Sequence, residues 1–115
     1  MVKQVELTTT GRRSGSSHTV ILYGFPEEDG VVVVGSAGGS DHDPDWVVNL
    51  RRDRSCVLRL GGKTSDVTAI ELSGVRREDS WRHVTGRFPL YLDYQQRSER
   101  RIPLFLLTDQ PDVGR

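Results

Sequence analysis

The chain is a succession of short apolar or β-branched runs, separated by glycine-rich and charged breaks, and the runs are the length of strands. Val2 to Thr10 predicts a first strand, rich in threonine, which favours a pleated and half-buried surface. Thr19 to Phe25 predicts a second, followed by a turn over Pro26-Glu27-Glu28-Asp29-Gly30. Val31 to Val34 predicts a third, and an unbroken β-branched run between turn signals implies burial on both faces. The short connections favour an antiparallel meander. Gly35 to Asp43 is a flexible loop. Asp43-Pro44 predicts a helix start, with Asp as N-cap and Pro at the first helical position. Trp46, Val47 and Leu50 give that helix an apolar face, and it ends near Arg52-Asp53.

Ser55 to Leu60 predicts a fourth strand, Gly61-Gly62-Lys63 a hairpin turn, and Thr64 to Leu72 a fifth strand, broken by Ser73-Gly74. Arg76 to Arg87 reads as a helix, with Trp81, Val84 and Phe88 at helical spacing. Pro89 interrupts it, and Leu90 to Arg101 forms a second helical segment with Tyr91 and Tyr94 on one face. Ile102 to Leu107 is the last strand, and the polar tail from Asp109 is expected to fray. The reading is therefore mainly β: six mostly antiparallel strands with flanking helices. Such a sheet buries its edges best by closing, so a small barrel is expected.

Composition narrows the function. A length of 115 residues suits one domain, residues 1–115, with one core. The 16 basic and 16 acidic residues cancel, which argues against a nucleic-acid partner. One cysteine excludes an internal disulfide and a Cys-rich zinc site; Cys56, between apolar neighbours, reads as core filler. No signal-peptide pattern or membrane-length apolar run is present, so a cytoplasmic protein without an integral membrane segment is expected.

Two stretches invite chemistry. Leu7-Thr8-Thr9-Thr10-Gly11-Arg12-Arg13-Ser14-Gly15 is a strand running into a glycine-bounded turn with two arginines. Free backbone N–H groups, hydroxyls and guanidinium groups suit a phosphate or carboxylate; an ordinary hairpin turn with solvated arginines is the other reading. Neighbouring side chains diverge, so one of Arg12 and Arg13 is expected to bind and the other to be solvated. The glycines after Gly35 let a ligand approach the backbone, or simply connect strand to helix. Ser36 or Ser40 with His42 and Asp43 does not make a catalytic triad, because loop neighbours cannot hold the relay and no nucleophile elbow is present. Asp41, His42, Asp43 and Asp45 lack a metal-ligand spacing, so no metal is expected. Arg97 to Arg101 reads as a solvated helix end. No Walker or Rossmann fingerprint occurs.

Four segments together resemble the deazaflavin-dependent nitroreductase/quinone reductase family. Leu7 to Gly15 is similar to LTTTGR[KR][ST]G, and Ser36-Ala37-Gly38-Gly39 to SKGG. Pro44-x-Trp46-x-x-Asn49-Leu50 is similar to P-x-W-Y-x-N-L. Pro89-x-Tyr91-x-Asp93-Tyr94-Gln95 with Arg100-Arg101-Ile102-Pro103 is similar to P-x-Y-x-D-Y-Q with R-x-I-P. The resemblance implies a split β-barrel of the flavin-binding type and coenzyme F420, with FMN as the alternative cofactor. Arg12, Arg13, Ser14 and Gly15 would hold the coenzyme's phosphate and acidic tail, and Thr10, Gly11, Pro44 and Trp46 would complete that side. Ser36, Ala37 and Gly38 would lie by the deazaflavin. Tyr91, Tyr94 and Phe88 would meet a small-molecule substrate, with Ser36 and Tyr91 the catalytic hydrogen-bond donors.

The implied reaction is hydride transfer to a quinone, a nitro compound or an activated double bond, by a monomer or homodimer. The chain departs from the pattern at Ala37 (Lys in the family), His18 (Arg), Ile21 (Pro), Val47 (Tyr) and Phe88 (Tyr). The helix that many members place before the barrel is not legible here, which implies an open site or one covered by another chain. Ala37, Val47 and Phe88 make the implied pocket more apolar, so a non-redox binder of an apolar molecule on the same barrel is the alternative.

Overall fold

The computed structural model describes residues 2–109. Its strands are β1 (Lys3–Thr10), β2 (Ser17–Glu27), β3 (Gly30–Val34), β4 (Ser55–Leu60), β5 (Lys63–Glu71) and β6 (Leu104–Thr108). Its α-helices are α1 (Asp45–Arg52), α2 (Gly74–Arg87) and α3 (Leu90–Arg97), and a 3-10 turn covers Ala37–Gly39. The strands close in the order β1-β2-β3-β6-β5-β4, and every pairing is antiparallel. The mainly β barrel expected from the sequence is what forms, with no parallel pair among the described strands.

Two apolar clusters share one wall of the barrel. Residues along a strand face opposite sides in turn. Val31 and Val33 of β3 therefore join Val5, Leu7, Leu58 and Phe105 inside, where Trp46, Val47 and Leu50 of α1 close the barrel's end. Val32 and Val34 face outward with Leu104 and Leu106 of β6, beneath Val84 of α2 and Tyr91 of α3. The four valines are buried on both faces, as their unbroken run predicts. Cys56 packs in the inner cluster, its Sγ 3.8 Å from the Val67 carbonyl, and burial pushes its thiol up to about 12.

Several boundaries move for identifiable reasons. The second strand runs on through Pro26 to Glu27, where it pairs with Gly30, so the turn shrinks to Glu28-Asp29. Asp43 is not the N-cap of α1. Pro44, at φ −59° and ψ 154°, holds that position, and the Asp43 carboxylate is taken by Arg51 (2.7 Å) and Arg100 (2.8 Å). The helical segment after Leu90 ends at Arg97 rather than Arg101. The last strand starts at Leu104: the Ile102 N–H donates to Gln95 Oε1 (2.9 Å), and Pro103 has no N–H to give. The tail expected to fray lies, past Asp109, outside the described residues.

A clasp ties α2 to the β2–β3 hairpin. Arg76 spans Glu27 (2.9 Å) and Asp29 (2.9 Å), while His83 Nδ1 and Ser80 Oγ also reach the Glu27 carboxylate, at 2.8 and 3.0 Å. The opposite half of β2 is left open. It pairs with β3 only over Phe25–Glu27, so from Ser17 to Gly24 its ladder partner is β1 alone. Ile21 and Tyr23, on the outer face of that half, are exposed.

Candidate functional site

Two clefts of about 530 Å³ each follow one another along the open half of β2. His18, Thr19 and Val20 line the first; Ile21, Leu22 and Tyr23 line the second. The first also takes in Gly11, Arg12, Arg13 and Ser14 of the β1–β2 turn, with Asp45, Trp46 and Asn49 of α1.

Asn49 explains the turn's shape. It is buried, and its Nδ2 donates to Thr9 Oγ1 (3.2 Å) while its Oδ1 accepts from both the Arg12 backbone N–H (3.2 Å) and Arg12 Nη1 (2.9 Å). Arg12 Nη2 reaches Asp45 Oδ1 (3.3 Å). Arg12 is thus a latch between turn and helix, its side chain 26% exposed. Arg13 is exposed and has no partner among the described residues. The two side chains do diverge, Arg12 toward α1 and Arg13 toward solvent. Gly11 is closely overlaid: a Cβ there would lie 2.6 Å from His18 Nε2.

The second cleft gathers Ser36, Gly38, Phe88, Tyr91 and Tyr94, with Gln4 of β1 at its edge. Tyr91 is 5% exposed, and its hydroxyl has no hydrogen-bond partner among the described residues. A buried phenol without a partner is costly unless something occupies the space in front of it. Burial, followed by the neighbouring Tyr23 and Tyr94, pushes its pKa up to about 12, so it remains a proton-bearing donor at neutral pH. Rings pack it on three sides: Phe88 at 4.7 Å, Phe25 at 6.0 Å and Tyr94 at 6.2 Å between centroids.

Arg100 shapes the loop that brings Ser36 there. Its Nε donates to the Ser40 carbonyl (2.8 Å), its Nη1 to the Gly35 carbonyl (3.0 Å) and Asp43 (2.8 Å), and its Nη2 to the Ser36 carbonyl (2.9 Å). The reading of Arg97–Arg101 as a solvated helix end is therefore wrong for Arg100, which is largely buried by these acceptors. Gly39 lets the loop touch α3: a Cβ there would sit 3.1 Å from the Tyr94 carbonyl, and its φ of 87° suits glycine.

The structure brings Gly11, Arg12, Arg13, Ser14 and Trp46 into the first cleft and Ser36, Gly38, Phe88, Tyr91 and Tyr94 into the second. It leaves four expected residues at neither. Thr10 pairs with Ser17 and lines a separate depression with Ser55 and Cys56. Gly15 closes the turn at φ 74°, and Pro44 caps α1. Ala37 is exposed, in a left-handed conformation at φ 46° that costs a residue with a Cβ about 1 kcal/mol or more. Asn49, Arg100 and His18 had no role in the sequence reading. Asn49 and Arg100 stand in the quoted motifs, but their partners lie on other elements.

A family model described as F420H(2)-dependent quinone reductase matches residues 1–109. An F420H(2)-dependent quinone reductase of Mycobacterium tuberculosis is 31% identical over 108 residues, covering 89% of this chain and 70% of its own. A solved F420-H2 dependent reductase, FDR-A, superposes with a TM-score of 0.83 at 34% identity, over 91% of this chain and 93% of its own. A solved domain-swapped dimer superposes with a TM-score of 0.84, also at 34% identity, over 91% of this chain and 79% of its own.

Proposed function

Because the chain belongs to the F420H(2)-dependent quinone reductase family, we propose that it is an oxidoreductase passing a hydride from reduced coenzyme F420 to a small organic acceptor: a quinone, a nitro compound or an activated double bond. The observation that carries this reading is the buried Tyr91 hydroxyl, without a partner among the described residues, in a cleft that Tyr91 lines with Ser36. The residues present fit the coenzyme. Arg13, Ser14 and the turn would hold its anionic arm, and Ser36 and Gly38 would border its ring system. When bound, the coenzyme supplies the hydride chemistry itself.

The protein's residues orient and stabilise. Tyr91, and with it Ser36, holds a proton toward the acceptor's oxygen, where negative charge develops as the hydride arrives; donors aimed there act at no further reorganisation cost. Tyr94 and Phe88 wall the acceptor in and keep water out. Arg12 binds no ligand directly but keeps the turn in shape. A strong acid or base is not needed for this chemistry, and the second cleft contains neither.

No helix among the described residues is long and apolar enough to cross a membrane. A cytoplasmic location and a single domain over residues 1–115 are part of the proposal. So is a monomer or homodimer, and the domain-swapped structural relative supports the dimer. The experiment that tests the reading is a fluorescence titration of oxidised coenzyme F420 with the purified protein, with FMN in parallel. Saturable binding of the deazaflavin, tighter than FMN, is expected. Absence of deazaflavin binding by folded protein overturns the reading and favours an apolar ligand held without turnover.

A further inference from the structure

The cleft beside the β1–β2 turn contains a group that the coenzyme reading does not use. His18 stands opposite Thr9 in the β1–β2 ladder, at the open half of β2, and its ring is laid over the turn. The point where a Gly11 Cβ would stand is 2.6 Å from His18 Nε2 and 3.0 Å from Ser14 Oγ. The imidazole edge and the serine hydroxyl therefore converge on one spot above a glycine, in the cleft that also takes in Arg13, which has no partner among the described residues. Neither ring nitrogen of His18 has a hydrogen-bond partner among the described residues, and the ring is exposed to the cleft.

We propose that His18 is a ligand for the anionic arm of the bound molecule, a phosphodiester or carboxylate, and that its protonation sets how tightly that arm is held. The proposal rests on the coenzyme reading above. Its charge logic is local. The charged groups facing His18 are Arg12 and Arg13 of the turn and Asp45 of α1; β1 offers only the neutral Thr9. Arg12 is already spent on Asn49 and Asp45. With a neutral imidazole, two cations and one carboxylate leave the cleft at one net positive charge; a protonated His18 doubles that. Histidine is the side chain that ordinarily changes charge between pH 5 and 8. Phosphodiesters and carboxylates stay ionised over that range, so a pH effect there originates in the protein.

The sign follows from linkage. The anion favours the protonated ring, so affinity is greatest at low pH and falls as pH rises. A single titrating group limits the fall to about tenfold per pH unit.

The test is a set of binding titrations by deazaflavin fluorescence from pH 5.5 to 8.5. The probes are coenzyme F420, the coenzyme with phosphate but no glutamates, and the bare deazaflavin-ribityl chromophore. The proteins are the native chain, His18→Gln and His18→Arg, each checked for fold by circular dichroism. The expected result is roughly a tenfold loss of F420 affinity across the range for the native chain. His18→Gln should bind weakly and His18→Arg tightly, both without that slope, and the bare chromophore should show no slope with any protein. Retention of the slope by the glutamate-free coenzyme assigns the contact to the phosphate; its loss assigns it to the carboxylates.

F420 binding with a flat pH profile overturns the role of His18 while leaving the coenzyme reading standing. A slope that persists in His18→Gln, or with the bare chromophore, overturns it too. Failure of every probe to bind folded protein overturns the coenzyme reading itself, and this proposal with it.

Discussion

Tyr91 makes the most direct prediction at the scale of the single residue. Its hydroxyl donates to nothing among the described residues, so Tyr91→Phe orphans no partner and removes a buried polar group. Stability is expected to stay level or rise by a few tenths of a kcal/mol. Hydride transfer from reduced coenzyme should slow by about 100- to 1000-fold, the range for losing one positioned donor. Coenzyme affinity should hold. A denaturation curve together with single-turnover kinetics checks both, and a large stability loss would show that the phenol is a structural group. The raised pKa adds a signature: in an alkaline absorbance titration, one of the chain's three tyrosines should ionise only near pH 12.

The two adjacent arginines make the second. Arg13→Ala should weaken coenzyme binding severalfold without changing stability. Arg12→Ala should cost about 1 kcal/mol of stability, since the Asn49 carboxamide oxygen keeps its bond from the Arg12 backbone N–H. Equal effects of the two on binding alone would sink the division between latch and ligand. The sequence showed that adjacent side chains in a turn must diverge. Which one turns inward depends on Asn49, a residue on another element, and spacing along the chain does not contain that contact.

At the scale of the element, what was legible is what depends on neighbours in sequence. The strands and helices follow from β-branched runs, glycine breaks and helical spacing, and their order was readable. What failed was competition from afar. Asp43 has the form of an N-cap, yet two arginines from α1 and from the α3–β6 connection claim its carboxylate. Arg100 has the form of a solvated helix end, yet four acceptors in the 35–43 region draw it in. Ion pairing at Asp43, and mostly backbone carbonyls at Arg100, overrode local propensity, and both lie beside the candidate site.

The α2 clasp gives a pH prediction at this scale. The hydrogen bond from Arg76 holds the Asp29 carboxyl below its ordinary value of 3.8. A depressed acid contributes stability that is present above its unfolded pKa and lost as pH falls through the folded one. The native chain should therefore exceed Asp29→Asn in thermal midpoint at neutral pH, by a small margin because the pair is partly exposed. The margin should close as pH drops below about 4. A difference that persists in acid would mean that the amide disturbs the hairpin for some other reason.

At the scale of the whole molecule, closure of the barrel was expected from the need to bury edges, but the ladder that achieves it was not readable. Pairing of Leu7 with Leu58 joins strands separated by a loop, a helix and two other strands. The same topology sets two clusters back to back across β3, and each backs one half of the site. Val33 packs inward with Trp46 and Val47 of α1, the helix whose Asn49 holds the β1–β2 turn. Val32 packs outward with Tyr91, Tyr94 and Phe88 of the second cleft. Truncating either to alanine removes two buried methyl groups and should cost about 2 kcal/mol. The functional consequences should separate. Val33→Ala loosens α1 and should raise the dissociation constant for the coenzyme more than it slows hydride transfer. Val32→Ala loosens the aromatic wall and should do the reverse. Interiors packed at crystal density transmit strain to their own neighbours first, so a barrel wall shared by two clusters can still insulate one from the other. If both substitutions changed binding and turnover in the same proportion, the two halves of the site would be mechanically one, and the division into an anion-holding end and an acceptor-facing end would fail.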